Sequence, residues 1–327
     1  MEQLIANFPK QLEEAIEIGR TTKLNFNGKV FSNVVISGLG GSGIGGTIVS
    51  EIVSEEATTP IIINKDYFLP AFVNENTLVI ISSYSGNTEE TVNAMQQALD
   101  KNATVACISS GGKVIEIAKE KNLHYIIVPG GMPPRSCLGY SLTQLLFVLN
   151  YAGIISNRFE KELEKSIALL NKEEARIQKL ALRVAKKLYK KLPVIYSAPG
   201  FEGVSIRFRQ QVNENSKMLC WHNVIPEMNH NELVGWVDKN KKLGVVIFRN
   251  ESDYSRTQSR IENNKEVIAG CTSTIIELFS KGKSKLENSI YLIHLGDWIS
   301  LYMAQLRGVD ATEVNVIDRL KGALSKI

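Results

Sequence analysis

The sequence lacks several features that would by themselves define a class of protein. It contains no run of about 18 apolar residues, so we expect no membrane span. The N-terminus has neither the basic start nor the cleavage site of a signal peptide, and we therefore expect a cytoplasmic protein. The chain has 327 residues, of which 44% are hydrophobic and 22% are charged. This length and composition predict a globular protein with two domains.

Metal and redox motifs are missing as well. The four cysteines never form CxxC, so zinc ribbons and redox pairs are disfavoured and buried, reduced thiols are expected. The four histidines show neither HxH nor HExxH spacing, and we therefore predict no metal site. The formal charge of +4 is small for this length, and lysines alternate with glutamates along predicted helices. Nucleic acid is not implied as a partner, whereas an anionic small substrate is compatible with this charge.

Strands and helices alternate along most of the chain. The predicted strands of the first half are residues 34–39, 60–64, 77–86, 103–112 and 124–131. Strands that are apolar throughout and separated by helices indicate parallel sheets buried on both faces. Residues 158–191 contain no glycine or proline and predict one or two long amphipathic helices. The alternation resumes after Pro193.

The predicted fold class is therefore α/β, with two doubly wound parallel-sheet domains joined by helices. We expect an N-terminal helix and the first domain in residues 1–155 and a helical linker in residues 156–192. The second domain, with C-terminal helices, is expected in residues 193–327.

The first strand ends in a glycine-rich stretch, ISGLGGSGIGG. Gly38, Gly40 and Gly43 satisfy the dinucleotide pattern GxGxxG, but that reading needs an acidic residue about 20 positions further on, at the end of the second strand. The chain has Asn64 there, and Asp66 follows only after a lysine. The missing acid makes a nicotinamide cofactor less well supported but does not exclude it. No GKS or GKT follows the glycines, which disfavours the ATP chemistry of a P-loop.

Two small-residue loops follow the first and third strands. Ser42 lies among the glycines, and SSYSGNTEET presents the hydroxyls of Ser83, Ser85 and Thr88. Parallel sheets bind ligands beyond the carboxyl ends of their strands, so these loops together predict a cup for a phosphate monoester. Taken singly, each loop can also be explained as a tight turn or a helix N-cap.

Three further stretches combine residue types that core packing would not select. Arg135 lies in a proline-rich loop, where a guanidinium can face substrate oxygens or form a surface ion pair. Glu214 and Lys217 are three residues apart on a polar helix end, and a solvated pair is the alternative there. His230 lies between two glutamates in a stretch rich in asparagine.

The stretches SGLGGSGIGG, SSYSGNTEET, MPPRSCLGYS, NENSK and IPEMNHNELVGW, in this order, resemble the bifunctional phosphoglucose/phosphomannose isomerases. These enzymes belong to the sugar isomerase (SIS) domain superfamily. The resemblance extends from about residue 30 to the C-terminus. It implies two SIS domains, a homodimer, no metal or organic cofactor, and interconversion of aldose and ketose 6-phosphates.

The resemblance also implies roles for individual residues. Five residues would hold the phosphate: Gly41, Ser42, Ser83, Ser85 and Thr88. Glu214 would move a proton between C1 and C2, Arg135 would stabilise the enediolate, and His230 would assist ring opening from the partner subunit. A lysine on the last helix would complete the site, with Lys321 the first choice and Lys326 a competitor. A carboxylate base beside cationic groups fits removal of a proton α to a carbonyl.

The expected function is isomerisation of glucose 6-phosphate, with mannose 6-phosphate as a second substrate that the resemblance alone supports. One alternative is the isomerase half of a glucosamine 6-phosphate synthase, which would need a glutaminase domain beginning with cysteine. The chain begins with Met1 and Glu2 instead. The other alternative is a phosphosugar-sensing SIS module without activity, which could dispense with Glu214 and His230.

Overall fold

The computed structural model describes residues 1–324, which contain two parallel β-sheets. The first sheet is formed by β1 (Asn33–Ser37), β2 (Ile61–Asn64), β3 (Thr77–Ser82), β4 (Thr104–Ser109) and β5 (His124–Ile127). The second sheet is formed by β6 (Leu192–Ser197), β7 (Trp221–Val224), β8 (Leu243–Arg249) and β9 (Ile275–Phe279).

The helices surround these sheets. Those in the first half are α1 (Glu2–Ala6), α2 (Phe8–Thr21), α3 (Gly40–Ile52), α4 (Glu89–Asp100), α5 (Gly112–Glu120) and α6 (Leu138–Tyr151). Those in the second half are α7 (Arg158–Leu188), α8 (Glu202–Glu214), α9 (Ser255–Ala269), α10 (Lys285–Arg307) and α11 (Asn315–Leu324). Short 3₁₀ segments cover Pro134–Ser136, Glu227–His230 and Glu232–Gly235. Within residues 1–324, no helix is both long and apolar enough to cross a membrane.

The first sheet has the strand order β2-β1-β3-β4-β5, so β1 pairs with both β2 and β3. In this register Val34 lies between Ile61 and Leu78. Alternate strand residues pack on opposite faces, one covered by α3 and α6 and the other by α4 and α5. The order reverses between β1 and β3, and open α/β sheets bind ligands at such a reversal.

The second sheet has the strand order β7-β6-β8-β9. Its Ile195 face packs with α8 and α10, and its Tyr196 face packs with α9 and Met228. The predicted fold class, two doubly wound parallel sheets, is confirmed. Strand β7 was not predicted, because its four residues, WHNV, lack the continuous apolar character of the other strands. The domain boundaries at residues 155 and 192 stay predictions.

The glycine-rich stretch differs from its prediction, because it is helical. Helix α3 begins at Gly40 and includes the glycines that were expected to form a loop. A Cβ atom at Gly43 would lie 2.3 Å from the carbonyl oxygen of Gly38, and one at Gly46 would lie 2.9 Å from Ile36. These glycines therefore let α3 approach the sheet closely. Residues 158–188 form the single long helix α7, as the absence of glycine and proline allowed.

Helices α3 and α8 pack against each other in antiparallel orientation, and this packing joins the two sheets. At the start of α8, a Cβ atom at Gly203 would lie 2.9 Å from Ile48, near the end of α3. At the other end, Gly41 in the first turn of α3 packs on the backbone of Arg135, whose side chain faces Glu214 at the end of α8. The start of α3 and the end of α8 are thereby brought to one place.

Glu51 is a half-buried acid in this helix pair. Its Oε2 accepts a hydrogen bond from the Gly203 N–H at 3.0 Å, and its carbonyl oxygen accepts one from Lys285 Nζ at 2.8 Å. Burial raises the pKa of Glu51 to about 7, against the opposing effects of the Gly203 N–H and Lys285. The folded state therefore favours the neutral acid, and ionising Glu51 weakens the packing of α3 on α8.

We expect Glu51→Gln to remove a pH dependence of stability. In the wild type, the contribution of neutral Glu51 is fully present below about pH 4.5 and is lost as the pH rises through about 7. The amide has no charge to gain and keeps an acceptor for Gly203. Urea unfolding measures the free energy of unfolding at pH 5 and pH 8. Between these two pH values the wild type should lose up to about 3 kcal/mol more of this free energy than the variant. The exposed Glu55→Gln serves as control and should follow the wild type; identical pH dependence in all three proteins would contradict the prediction.

Candidate active site

The two polar loops meet at the carboxyl ends of β1 and β3, as predicted from neighbouring strands. Ser42 is buried, and its Oγ accepts a hydrogen bond from the backbone N–H of Tyr84 at 3.0 Å. Within the second loop, the Ser83 hydroxyl donates to Thr88 Oγ1 at 3.3 Å. The Ser85 side chain is exposed at the rim, where its Oγ accepts from the Asn87 N–H at 3.3 Å. The hydroxyl residues named from the sequence thus come together at this edge of the sheet, and we call this group of donors the cup.

The cup opens at the first turns of two helices. Helix α3 begins at Gly40, and α4 begins at Glu89 with Thr88 as its N-cap residue. First-turn N–H groups have no partner within their own helix, and the helix dipole adds positive potential at this end. Thr88 makes no side-chain cap bond, so its hydroxyl is not used to close α4. This arrangement of N–H and O–H donors suits a phosphate dianion.

A third segment, residues 132–135, closes one side of the cup. A Cβ atom at Gly41 would lie 3.0 Å from the carbonyl oxygen of Pro134 and 3.3 Å from Cα of Arg135, so only glycine leaves room for this contact. The Met132 N–H donates to the phenolic oxygen of Tyr84 at 3.2 Å. Burial raises the pKa of Tyr84, so its hydroxyl stays protonated at neutral pH. The two loops and the Arg135 segment therefore hold one another in place.

The Arg135 side chain crosses from the first sheet to the second and is almost fully buried. Its Nε donates to Asn215 Oδ1 at 2.9 Å, and its Nη2 donates to the carbonyl oxygens of Ala311 and Thr312 at 2.7 and 2.8 Å. Its Nη1 lies 3.6 Å from Glu214 Oε2. Burial lowers the pKa of Arg135, and the Glu214 carboxylate opposes that effect. The guanidinium stays charged and presents Nη1 toward Glu214.

The sequence NENSK forms the other half of this site. Glu214 is the last residue of α8, and 27% of its side chain is exposed, so its carboxylate is open to a ligand. Asn215 Nδ2 donates to Ser300 Oγ at 3.0 Å. Lys217 Nζ donates to the carbonyl oxygens of Glu214 and Glu313 at 2.5 and 2.8 Å.

Sequence reasoning missed two of these contributions. Asn215 holds Arg135, and Lys217 ties the end of α8 to the segment before α11. For Glu214 and Lys217 a solvated pair is the alternative that the sequence offers, and no structural role for Lys217 is predicted from it. The signal for Asn215 was its position between an acid and a serine in a helix end that has no apolar residue.

Within residues 1–324, two predicted site residues make no hydrogen bond or ion pair with the groups described above. His230 ends the 3₁₀ segment Glu227–His230 and is exposed. Lys321 lies on α11 and is also exposed, while the ammonium group bonded to the end of α8 belongs to Lys217. Lys326 lies outside the described residues. The roles of His230 and Lys321 therefore remain predictions.

The grouped residues have a defined chemical capacity. A carboxylate that is open to solvent lies beside a buried, permanently charged guanidinium, and both adjoin a cup of N–H and O–H donors. A substrate anchored by a phosphate can place a carbon acid near Glu214 and an oxygen that gains charge near Arg135. This combination suits proton abstraction α to a carbonyl in a phosphorylated substrate.

Comparison with known proteins places the chain in a family. Residues 177–324 match the family described as bacterial phospho-glucose isomerase C-terminal SIS domain. The bifunctional phosphoglucose/phosphomannose isomerase of Caldicellulosiruptor bescii is 39% identical over 338 aligned residues, covering 100% of this chain and 99% of the relative. The chain belongs to the bifunctional phosphoglucose/phosphomannose isomerase family. The family member from Aquifex aeolicus is 36% identical and covers 90% of this chain and 91% of its own length.

Solved structures support the fold. The C-terminal domain of glucosamine-fructose-6-phosphate aminotransferase from Francisella tularensis superposes with a TM-score of 0.75 and 14% identity. The match covers 96% of this chain and 98% of that domain. At this identity the similarity shows the fold alone. Family membership therefore rests on the sequence relatives, and the resemblance first noticed in five short motifs is confirmed over the whole chain.

We expect substitutions at two of the cup hydroxyls, Ser42 and Thr88, to distinguish an effect on stability from an effect on phosphate binding. Ser42→Ala leaves the buried Tyr84 N–H without its acceptor, which costs about 1–3 kcal/mol of stability in addition to a phosphate contact. Thr88→Ala removes a partly exposed hydroxyl that accepts a long 3.3 Å bond from Ser83, and should cost less, about 1 kcal/mol of stability. Both should weaken binding of inorganic phosphate about tenfold, as measured by ³¹P NMR titration beside urea unfolding. Unchanged phosphate binding in both variants would place the phosphate elsewhere.

Proposed function

We propose that the protein interconverts fructose 6-phosphate with glucose 6-phosphate, and with mannose 6-phosphate, through an enediolate intermediate. One observation carries this proposal: Glu214 Oε2 lies 3.6 Å from Arg135 Nη1, directly beside the phosphate cup. The two bifunctional phosphoglucose/phosphomannose isomerases that match 90% or more of the chain support the same pair of substrates. The enzyme belongs to the aldose–ketose isomerases in this reading.

The roles follow from the chemistry of each group. Residues of the cup hold the phosphate, which is remote from the reacting carbons and supplies binding energy and orientation. Glu214 removes the proton from C2 of the aldose or C1 of the ketose and returns it to the other carbon. Arg135 stabilises the enediolate oxygen as it gains negative charge. Its buried position means that little solvent has to reorganise during the step.

Ring opening requires a further proton donor, and we assign it to His230 of a second subunit. Glu214 ends α8, which packs on the Ile195 face of the second sheet. Met228, two residues before His230, packs on the opposite face with Tyr196. The elements that carry Glu214 and His230 therefore lie on opposite sides of one sheet. In a homodimer, His230 of one subunit can reach Glu214 of the other, so the two residues need not lie on the same side of one sheet.

Mixing two inactive variants tests the shared site. Glu214→Gln and His230→Ala homodimers should each be nearly inactive. A dimer containing one copy of each has one site with both substitutions and one site with neither. Random exchange in an equal mixture should therefore restore about a quarter of wild-type activity. Absence of any recovery, with exchange proved by mass spectrometry of tagged subunits, would place His230 and Glu214 in the same subunit.

The single substitution Glu214→Gln tests the base. Glutamine cannot accept the substrate proton, so kcat should fall by about 1,000-fold or more, at the upper part of the range for general bases. Binding of fructose 6-phosphate, measured by calorimetry, should change little because the cup is intact. Glu202→Gln, at the exposed start of the same helix, is the matched control and should keep wild-type kcat. A Glu214→Gln variant with wild-type turnover would show that another group is the base.

A coupled assay tests the substrates. Purified protein is incubated with fructose 6-phosphate, and glucose 6-phosphate and mannose 6-phosphate are read by separate dehydrogenase couplings. We expect both products. Formation of only one product would show that the enzyme acts on a single aldose phosphate. Formation of neither would favour the phosphosugar-sensing alternative.

A further inference from the structure

Beneath the site lies a buried ion pair for which the proton transfer has no direct use. Arg207 on α8 is 2% exposed and Asp297 on α10 is 6% exposed. Arg207 Nη2 donates to Asp297 Oδ2 at 2.9 Å. The same Nη2 donates to the backbone carbonyl oxygen of Arg135 at 2.7 Å. Arg207 therefore connects α10 to the backbone of the residue that faces Glu214.

A second path from the same turn of α10 reaches the Arg135 side chain. Ser300, three residues after Asp297, has an Oγ that accepts from Asn215 Nδ2 at 3.0 Å. Asn215 Oδ1 in turn accepts from Arg135 Nε at 2.9 Å. One turn of α10 thus fixes both the backbone and the guanidinium of Arg135, through Arg207 and Asn215 respectively.

Stability alone does not explain the Arg207–Asp297 pair. Within residues 1–324, Arg207 Nε and Nη1 and Asp297 Oδ1 are buried without a hydrogen-bond partner. Buried ion pairs with unsatisfied atoms are costly, and apolar pairs of similar volume often replace them without loss. Arg207 also places a positive charge near Arg135 and lowers the pKa of Arg135. The position that the ion pair gives to Arg135 explains this arrangement better than a contribution to stability does.

We propose that Arg207, paired with Asp297, is a positioning residue for the isomerisation: it holds the Arg135 backbone so that Nη1 faces the reacting oxygen beside Glu214. Arg207 does not touch the substrate. Its effect falls on the step in which charge develops on that oxygen and not on capture of the phosphate, which the hydroxyl cup performs. This inference rests on the proposed isomerase function.

A double variant, Arg207→Met with Asp297→Leu, tests the proposal. It removes both charges together, so no unpaired charge stays buried and the fold is expected to survive. It also removes the donor to the Arg135 carbonyl oxygen. We expect kcat on fructose 6-phosphate to fall about 10- to 100-fold, because small misplacements of a catalytic group cost this much. KM and the affinity for inorganic phosphate should stay within about threefold, since the hydroxyls of the cup lie in other loops and, in the part of the chain that the structure describes, have no hydrogen bond with Arg207.

Two further variants make the result decisive. Arg249→Lys alters another buried arginine, which pairs with Glu262 and Glu277, and should leave kcat unchanged. Arg207→Lys keeps the charge but not the planar fork, and should lower kcat about threefold to tenfold with unchanged phosphate affinity. If the double variant does not fold, Arg207→Lys tests the proposal in its place.

Wild-type kcat in the folded double variant, or in Arg207→Lys when the double variant does not fold, would overturn the proposal. Equal losses of kcat and phosphate affinity would overturn it too, because they indicate general loss of structure. Wild-type protein that is inactive on fructose 6-phosphate would instead reject the proposed function before any variant is compared.

Discussion

The close antiparallel packing of α3 on α8 is the constraint on which the site depends. The glycines of α3 let it approach the first sheet, and Gly203 of α8 lets the two helices meet. Because the helices run in opposite directions, the start of α3, with its N–H and hydroxyl donors, lies next to Glu214 at the end of α8. Neither sheet carries the whole site. The first contributes N–H and O–H donors, and the second contributes the Glu214 carboxylate, to which the proposed function gives the role of base.

Arg135 joins these halves physically as well as chemically. Its backbone belongs to the segment that packs on Gly41, whereas its side chain is bonded to Asn215 and to the segment before α11. A buried arginine with three of its donors fixed by neutral acceptors keeps its charge and loses its mobility. The remaining nitrogen, Nη1, is then aimed at Glu214, and this fixed cation is what the proposed stabilisation of an enediolate oxygen requires.

Much of this arrangement was readable from the sequence, and the limits have physical causes. Continuous apolar strands fixed the class of sheet, and neighbouring strand ends placed Ser42 beside Ser83 and Thr88. The helical state of the glycine stretch was not predicted, since its glycines serve close packing and not loop geometry. Arg207 and Asn215 also escaped prediction, because their roles depend on contacts with α10, about 85 to 90 residues away in the chain. Only tertiary structure reveals such partners.

The proton transfer itself admits a direct measurement. Fructose 6-phosphate is incubated with the protein in D₂O until equilibrium, and the recovered glucose 6-phosphate and mannose 6-phosphate are analysed by NMR. If Glu214 removes and returns a proton through an enediolate, its carboxyl exchanges with solvent over many turnovers, and deuterium accumulates at C2 of both products. Complete conversion with no deuterium at C2 would mean that hydrogen passes directly between the carbons, and would contradict a carboxylate base at this site.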